Sequence, residues 1–132
     1  MNSHLRREVR DLALVACGAI PGALLRWQLE QLAQASGGGL RAITAADLLA
    51  NLIGCLLIGM LLAQPPRRAR LYLWGGIGFC GSLTTFSSWM LELVKGLDAG
   101  KPLEVLAVLA VSLLGGLALV QVGAALANRQ WR

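Results

Sequence analysis

The sequence predicts an all-α integral membrane protein of four transmembrane helices, the third broken near mid-membrane, and three observations carry that reading. The mean hydropathy is +0.63 and only 14% of the residues are charged, where soluble domains carry about a quarter. Residues 48–66, 71–91 and 105–128 are uncharged for 19, 21 and 24 residues, and crossing a hydrocarbon core about 30 Å thick takes roughly 20. A fourth apolar run, 12–25, continues past Arg26 through Trp27, Gln28 and Leu29. The expected spans are 12–34, 45–64, 71–94 and 103–127. The connections between them are brief, so residues 1–132 read as a single membrane domain.

The net charge of +5 does not indicate a nucleic-acid partner, because the basic residues flank the apolar runs instead of sharing one polar surface. Arg6, Arg7, Arg10, Arg67, Arg68, Arg70, Arg129 and Arg132 fall on one side, against Arg41, Lys95 and Lys101 on the other. By the positive-inside bias this places both termini in the cytoplasm. The apolar stretch between Asp11 and Cys17 is too short for a lipoprotein signal. Cys17, Cys55 and Cys80 lie one to a run with no paired spacing, as expected of small buried thiols.

The first span carries Gly18-Ala19-Ile20-Pro21-Gly22, a small-residue face that admits a neighbouring backbone, with a proline that removes one helical donor. The second contains Asn51 and Gly54, and the fourth Ser112, Gly115, Gly116 and Gly123. Packing accounts for these glycines. The third span differs: Gly75, Gly76, Gly78 and Gly81 are followed at once by Ser82, Thr84, Thr85, Ser87 and Ser88. Each glycine costs about 1 kcal/mol relative to alanine in a helix interior, so a break is expected here. Free backbone groups at that depth need a cavity, an ion or another chain to satisfy them.

Candidate site residues follow from what lipid cannot satisfy. Arg26 inside an apolar run either faces a polar cavity or snorkels to the headgroups. Asn51 offers amide donors and an acceptor that need partners. The Ser112 and Thr85 hydroxyls supply donors, although each can bond back to its own helix. Phe86 and Trp89, three apart, share a helical face, and an aromatic edge is partially positive. Hydroxyls, aromatic edges and acids confined to the span ends favour an anion over a cation or proton. The sole histidine, His4, is at the N-terminus, and no nucleophile and base meet mid-membrane, so an enzyme is not expected.

These residues resemble the Fluc (CrcB) fluoride channel family of bacteria over the length of the chain. The resemblance rests on 22–27 (Gly-Ala-Leu-Leu-Arg-Trp), 51–54 (Asn-Leu-Ile-Gly), 112–115 (Ser-Leu-Leu-Gly) and, most specifically, 78–87 (Gly-Phe-Cys-Gly-Ser-Leu-Thr-Thr-Phe-Ser). It implies an antiparallel, dual-topology homodimer in the bacterial inner membrane, with two fluoride pores and one structural sodium ion. The backbone carbonyls of Gly81 and Thr84 would hold the sodium. Phe86, Trp89, Thr85, Asn51 and Ser112 would line the fluoride pathway, with Arg26 in a vestibule. The implied activity is passive fluoride efflux that protects a cell accumulating fluoride from acidic surroundings. Trp89 stands where a phenylalanine is usual, Asp47 where a threonine is common and Gly116 where some members have a serine. Asp47 would repel anions unless paired with Arg41 or another cation. The alternatives are a small four-helix multidrug or cation exporter, which needs a deep carboxylate, and a structural membrane subunit.

Overall fold

The computed structural model describes residues 3–35, 40–65 and 68–130, all in helices or the short turns between them. Helix α1 is Ser3–Ala35 and α2 is Leu40–Leu62. Helix α3 covers 69–83 in one continuous stretch whose middle, Tyr72–Cys80, is π-helical. Helix α4 is Ser87–Asp98. Helix α5 covers 102–130 and has its own π-helical segment at Val111–Gly115. Pro102 stands in the first turn of α5, where a missing N–H costs nothing.

By length and composition, three helices can cross a membrane: α1, α2 over Ala45–Leu62 and α5 over Pro102–Arg129. The third expected span is divided. Helix α4 has 12 residues, about 18 Å at 1.5 Å per residue, and Thr84 between α3 and α4 is extended at φ −78° and ψ 152°.

The molecule is apolar outside and small-residue inside. Trp27, Leu103, Leu106 and Leu117 are all more than half exposed, whereas the buried apolar set is mainly Ala46, Ala50, Cys80, Leu83 and Ala127. That pattern suits lipid as the solvent, where close packing replaces hydrophobic burial as the force between helices. Helix α1 packs chiefly on α3, and α2 on α5. In the first pair Gly18 lies against the Trp74 carbonyl, Gly22 against that of Phe79 and Gly78 against that of Val15. In the second pair Gly59 meets the Val120 carbonyl and Gly123 that of Leu56.

The glycines of the third span therefore do not break the helix themselves. Gly75, Gly76 and Gly78 are buried within the π-helical stretch: Gly78 lies against the α1 backbone, while the side chains of Leu61 on α2 and of Ile58 and Tyr72 fill the space beside Gly75 and Gly76. The interruption comes later, at 84–86. The Ser82 hydroxyl reinforces the α1–α3 contact, lying 2.9 Å from the Ala19 carbonyl and within 3.0 Å of those of Gly78 and Phe79. Its single proton serves one of them at a time. Interhelical hydrogen bonds in membranes average about 0.6 kcal/mol, so Ser82→Ala should lower thermal stability in detergent only slightly. A large drop would mean that polar bonding, not glycine packing, holds this pair together.

Candidate functional site

The interruption after α3 is held open by one side chain. Asn51 on α2 donates from Nδ2 to the Thr85 carbonyl at 3.0 Å and accepts the Thr85 N–H on Oδ1 at 2.8 Å. A backbone unit removed from both helices is thus fully paired by an amide, the side chain that matches it in both donor and acceptor. Thr85 is itself buried, and its hydroxyl accepts the Ser88 N–H at 3.3 Å. That bond satisfies one of the early N–H groups of α4, which have no intrahelical partner.

Around this point lies a cavity of about 470 Å³ whose walls include Asn51, Gly81, Thr84, Thr85, Phe86, Trp89 and Ser112. Seven of the eight residues singled out from the sequence are thereby brought together from four helical elements and the connection between two of them. No carboxylate lines this cavity among the described residues. Phe86 is 71% exposed, and its ring centroid lies 5.9 Å from that of Trp89 with the planes at 46°. The tilt presents ring edges as well as faces.

The polar groups on the walls are mostly engaged. Thr84 Oγ1 bonds the Cys80 carbonyl at 2.9 Å, Thr85 Oγ1 lies 3.3 Å from Ser88 Oγ, and Ser112 Oγ donates to the Val108 carbonyl at 2.7 Å. Trp89 Nε1 donates to Ser112 Oγ at 3.0 Å. Each hydroxyl bond of the Thr84 or Ser112 kind is a back-bond to the preceding turn and is cheap to release. The second Nδ2 proton of Asn51 has no acceptor among the described residues.

The carbonyls of Gly81 and Thr84 receive no backbone hydrogen bond among the described residues, because the ladder stops at the bond from the Thr84 N–H to the Cys80 carbonyl. Two oxygen acceptors without donors fit a hard cation. Gly81 is exposed, and a methyl group added there would meet only the Gly76 carbonyl at 3.9 Å.

Arg26 stands apart from this cavity. It lines a separate hollow of about 310 Å³ with Glu30 and Ser82 and pairs through Nε with Glu30 Oε1 at 2.9 Å. It thus faces a hollow as a paired charge, an i,i+4 arrangement that the spacing of the two residues already permits. The burial of two carboxylates, Asp47 and Glu92, is not expected from the sequence, where both lie near span ends. Asp47 is 1% exposed, with Oδ1 lacking a hydrogen-bond partner among the described residues, in the combined field of Arg26 and Glu30. The Arg41 side chain expected to pair with it lies outside the described residues. Glu92 is 8% exposed and borders a mostly apolar cavity of about 320 Å³ with Lys101 and Glu104. Its spacing of three from Trp89 and four from Ser88 was the available signal.

Comparison with known proteins shows the family. Residues 13–124 match the family described as CrcB-like protein, Camphor Resistance (CrcB). The chain belongs to the CrcB family. It is a multi-pass bacterial membrane protein. It is 44% identical over 129 residues to fluoride-specific ion channel FluC 2 of Parasynechococcus marenigrum, covering 96% of this chain and 88% of that one. It is 40% identical over 124 residues to fluoride-specific ion channel FluC of Stutzerimonas stutzeri, covering 91% and 98%. A third CrcB relative, fluoride-specific ion channel FluC of Haemophilus influenzae, is 40% identical over 119 residues, covering 87% and 91%.

Proposed function

We propose that this CrcB chain is a fluoride-selective channel, not an enzyme, through which fluoride leaves the cell passively across the inner membrane. The observation that carries the reading is the cavity at the α3–α4 interruption, where an amide, hydroxyls and two aromatic rings meet without a carboxylate. A small, strongly hydrated anion needs hydrogen-bond donors to replace its water, and back-bonded hydroxyls can be redirected at low cost. The relatives' names supply the ion. An exporter driven by protons needs a carboxylate facing its substrate, and among the described residues none lines this cavity.

In the same proposal α3 and α4 together form the third of four spans, residues 1–132 are one membrane domain, and the working unit is an antiparallel homodimer of dual topology with two pores. A structural sodium ion sits at its centre on the carbonyls of Gly81 and Thr84. The exposure of Gly81 and the free carbonyls beside it support a second copy approaching there. Arg26, balanced by Glu30, serves as the vestibule charge.

Purified protein in liposomes should release fluoride when the membrane potential is clamped by a potassium gradient. Phe86→Ile, which removes the ring edge, should slow that release by about tenfold, as expected for roughly 1.4 kcal/mol. Absence of fluoride release from well-reconstituted wild type would end the channel reading.

A further inference from the structure

A serine hydroxyl is ambivalent: it offers one proton and two lone pairs. In the cavity wall, Ser112 is relieved of part of that ambivalence by Trp89. The indole N–H, on α4, donates to Ser112 Oγ on α5 at 3.0 Å, and the serine proton passes on to the Val108 carbonyl at 2.7 Å. The indole, which has no acceptor of its own, covers acceptor capacity that would otherwise present a negative oxygen to the cavity. What the hydroxyl can still give up to a ligand is its proton, held by a back-bond that releases cheaply. Donation into a hydroxyl oxygen also strengthens that hydroxyl as a donor.

Phenylalanine at 89 does none of this, since its ring has no N–H. The location is specific as well. Ser112 lies in the π-helical segment Val111–Gly115 of α5, where the wider turn changes the direction of the side chains from that of a regular helix. The bond from Trp89 joins residues 23 apart in the chain and, among the described residues, ties α4 to that segment.

Resting on the anion-channel reading above, we propose that Trp89 is a positioning residue that converts Ser112 from an ambivalent hydroxyl into a donor, so that this wall of the cavity favours an anion. Trp89 acts through Ser112, and the ring contact with Phe86 sets the indole's position. The substitution of an indole for the usual phenyl ring is then a selectivity device and not merely a bulkier filling of the same space.

The test replaces Trp89 by its benzothiophene analogue, which keeps the two-ring shape and lacks the N–H, alongside Trp89→Phe, Ser112→Ala and the double variant Trp89→Phe/Ser112→Ala. Fluoride and chloride release from potassium-clamped liposomes is measured for each. Loss of one hydrogen bond predicts that the analogue, Trp89→Phe and Ser112→Ala each lower the fluoride-to-chloride ratio by about three- to tenfold. The double variant should fall no further than either single one, because the two side chains act as a unit. The resonance Raman band that reports indole N–H bonding should shift between wild type and Ser112→Ala, a change that ring packing alone would not produce. An unchanged ratio in the analogue, or losses that multiply in the double variant, would overturn this inference while leaving the channel reading intact. Wild type that releases no fluoride at all would instead overturn the channel reading, and the Raman comparison would then test the indole–serine bond by itself.

Discussion

Asn51→Asp is expected to reduce fluoride release by about a hundredfold or more while leaving a chain that still inserts and folds. The replaced amide makes two bonds to one backbone unit, donating to the Thr85 carbonyl at 3.0 Å and accepting the Thr85 N–H at 2.8 Å. Aspartate keeps the second and cannot make the first, because an ionised carboxylate only accepts. It also removes the remaining Nδ2 proton, a donor on the wall of the cavity with no acceptor among the described residues. The larger effect is charge. A carboxylate about 4 Å from an anion's path costs on the order of 4 kcal/mol at an effective dielectric of 20, and 1.4 kcal/mol is a factor of ten. Electrostatics therefore outweighs the lost hydrogen bond, worth about 1 kcal/mol. Asn51→Ala separates the two: it breaks both bonds without adding charge and should lose less flux but more stability. Liposome release rates and melting in detergent, measured on both variants, check this ordering. Release from Asn51→Asp within threefold of wild type would mean that the anion does not pass Asn51.

Much of this architecture was legible because membrane spans are a signal of composition. The apolar runs expected at 12–34 and 103–127 lie within α1 and α5, and that at 45–64 runs two residues past the end of α2 at Leu62, since the length of an uncharged run is fixed by the solvent and not by tertiary detail. The break in the third span was legible too: the run 81–88 was read as the interruption, and the helix opens within it at 84–86. Glycine's cost in an isolated helix also cast doubt on 75–81, which stays helical, with Gly78 held by the α1 backbone. Tertiary contact overrode local propensity there. The chain opened instead at Thr84, where Asn51 supplies a replacement for the missing helical bonds.

For the candidate site, which residues meet was legible and their wiring was not. Asn51, Thr85 and Ser112 stood out as polar groups that lipid cannot satisfy and Phe86 and Trp89 as aromatic edges, and all five line one cavity. Nothing in the spacing of Trp89 and Ser112 announces that one donates to the other, because the bond depends on how α4 lies against α5. The buried carboxylates show the converse failure. Asp47 was read as a span-end charge, yet it is 1% exposed, because helices crossing at their ends bury residues that a linear view places in the headgroups.

Gly18→Val should abolish accumulation of folded protein, the largest loss of stability expected from any single change considered. A Cβ at Gly18 would collide with the Trp74 carbonyl and come within 3.0 Å of the Phe79 N–H nitrogen, and the obstacle is backbone on both counts. A flexible side chain could move aside, but a helix backbone can yield only by separating α1 from α3. Overpacking a core ordinarily costs about 1–3 kcal/mol, and separation would add the loss of the Gly22–Phe79, Gly78–Val15 and Ser82–Ala19 contacts. Their sum approaches the roughly 5–15 kcal/mol by which a domain is stable at all. Gly81→Ala is the informative contrast. Its added methyl would meet only the Gly76 carbonyl at 3.9 Å, so the single chain should fold as before. If a second copy packs at Gly81, that variant should instead weaken assembly without unfolding the chain. Size-exclusion profiles and thermal unfolding in detergent distinguish the two cases: Gly18→Val aggregated, Gly81→Ala folded but shifted towards monomer. A Gly18→Val protein as stable as wild type would refute the close α1–α3 contact on which the positions of both cavities depend.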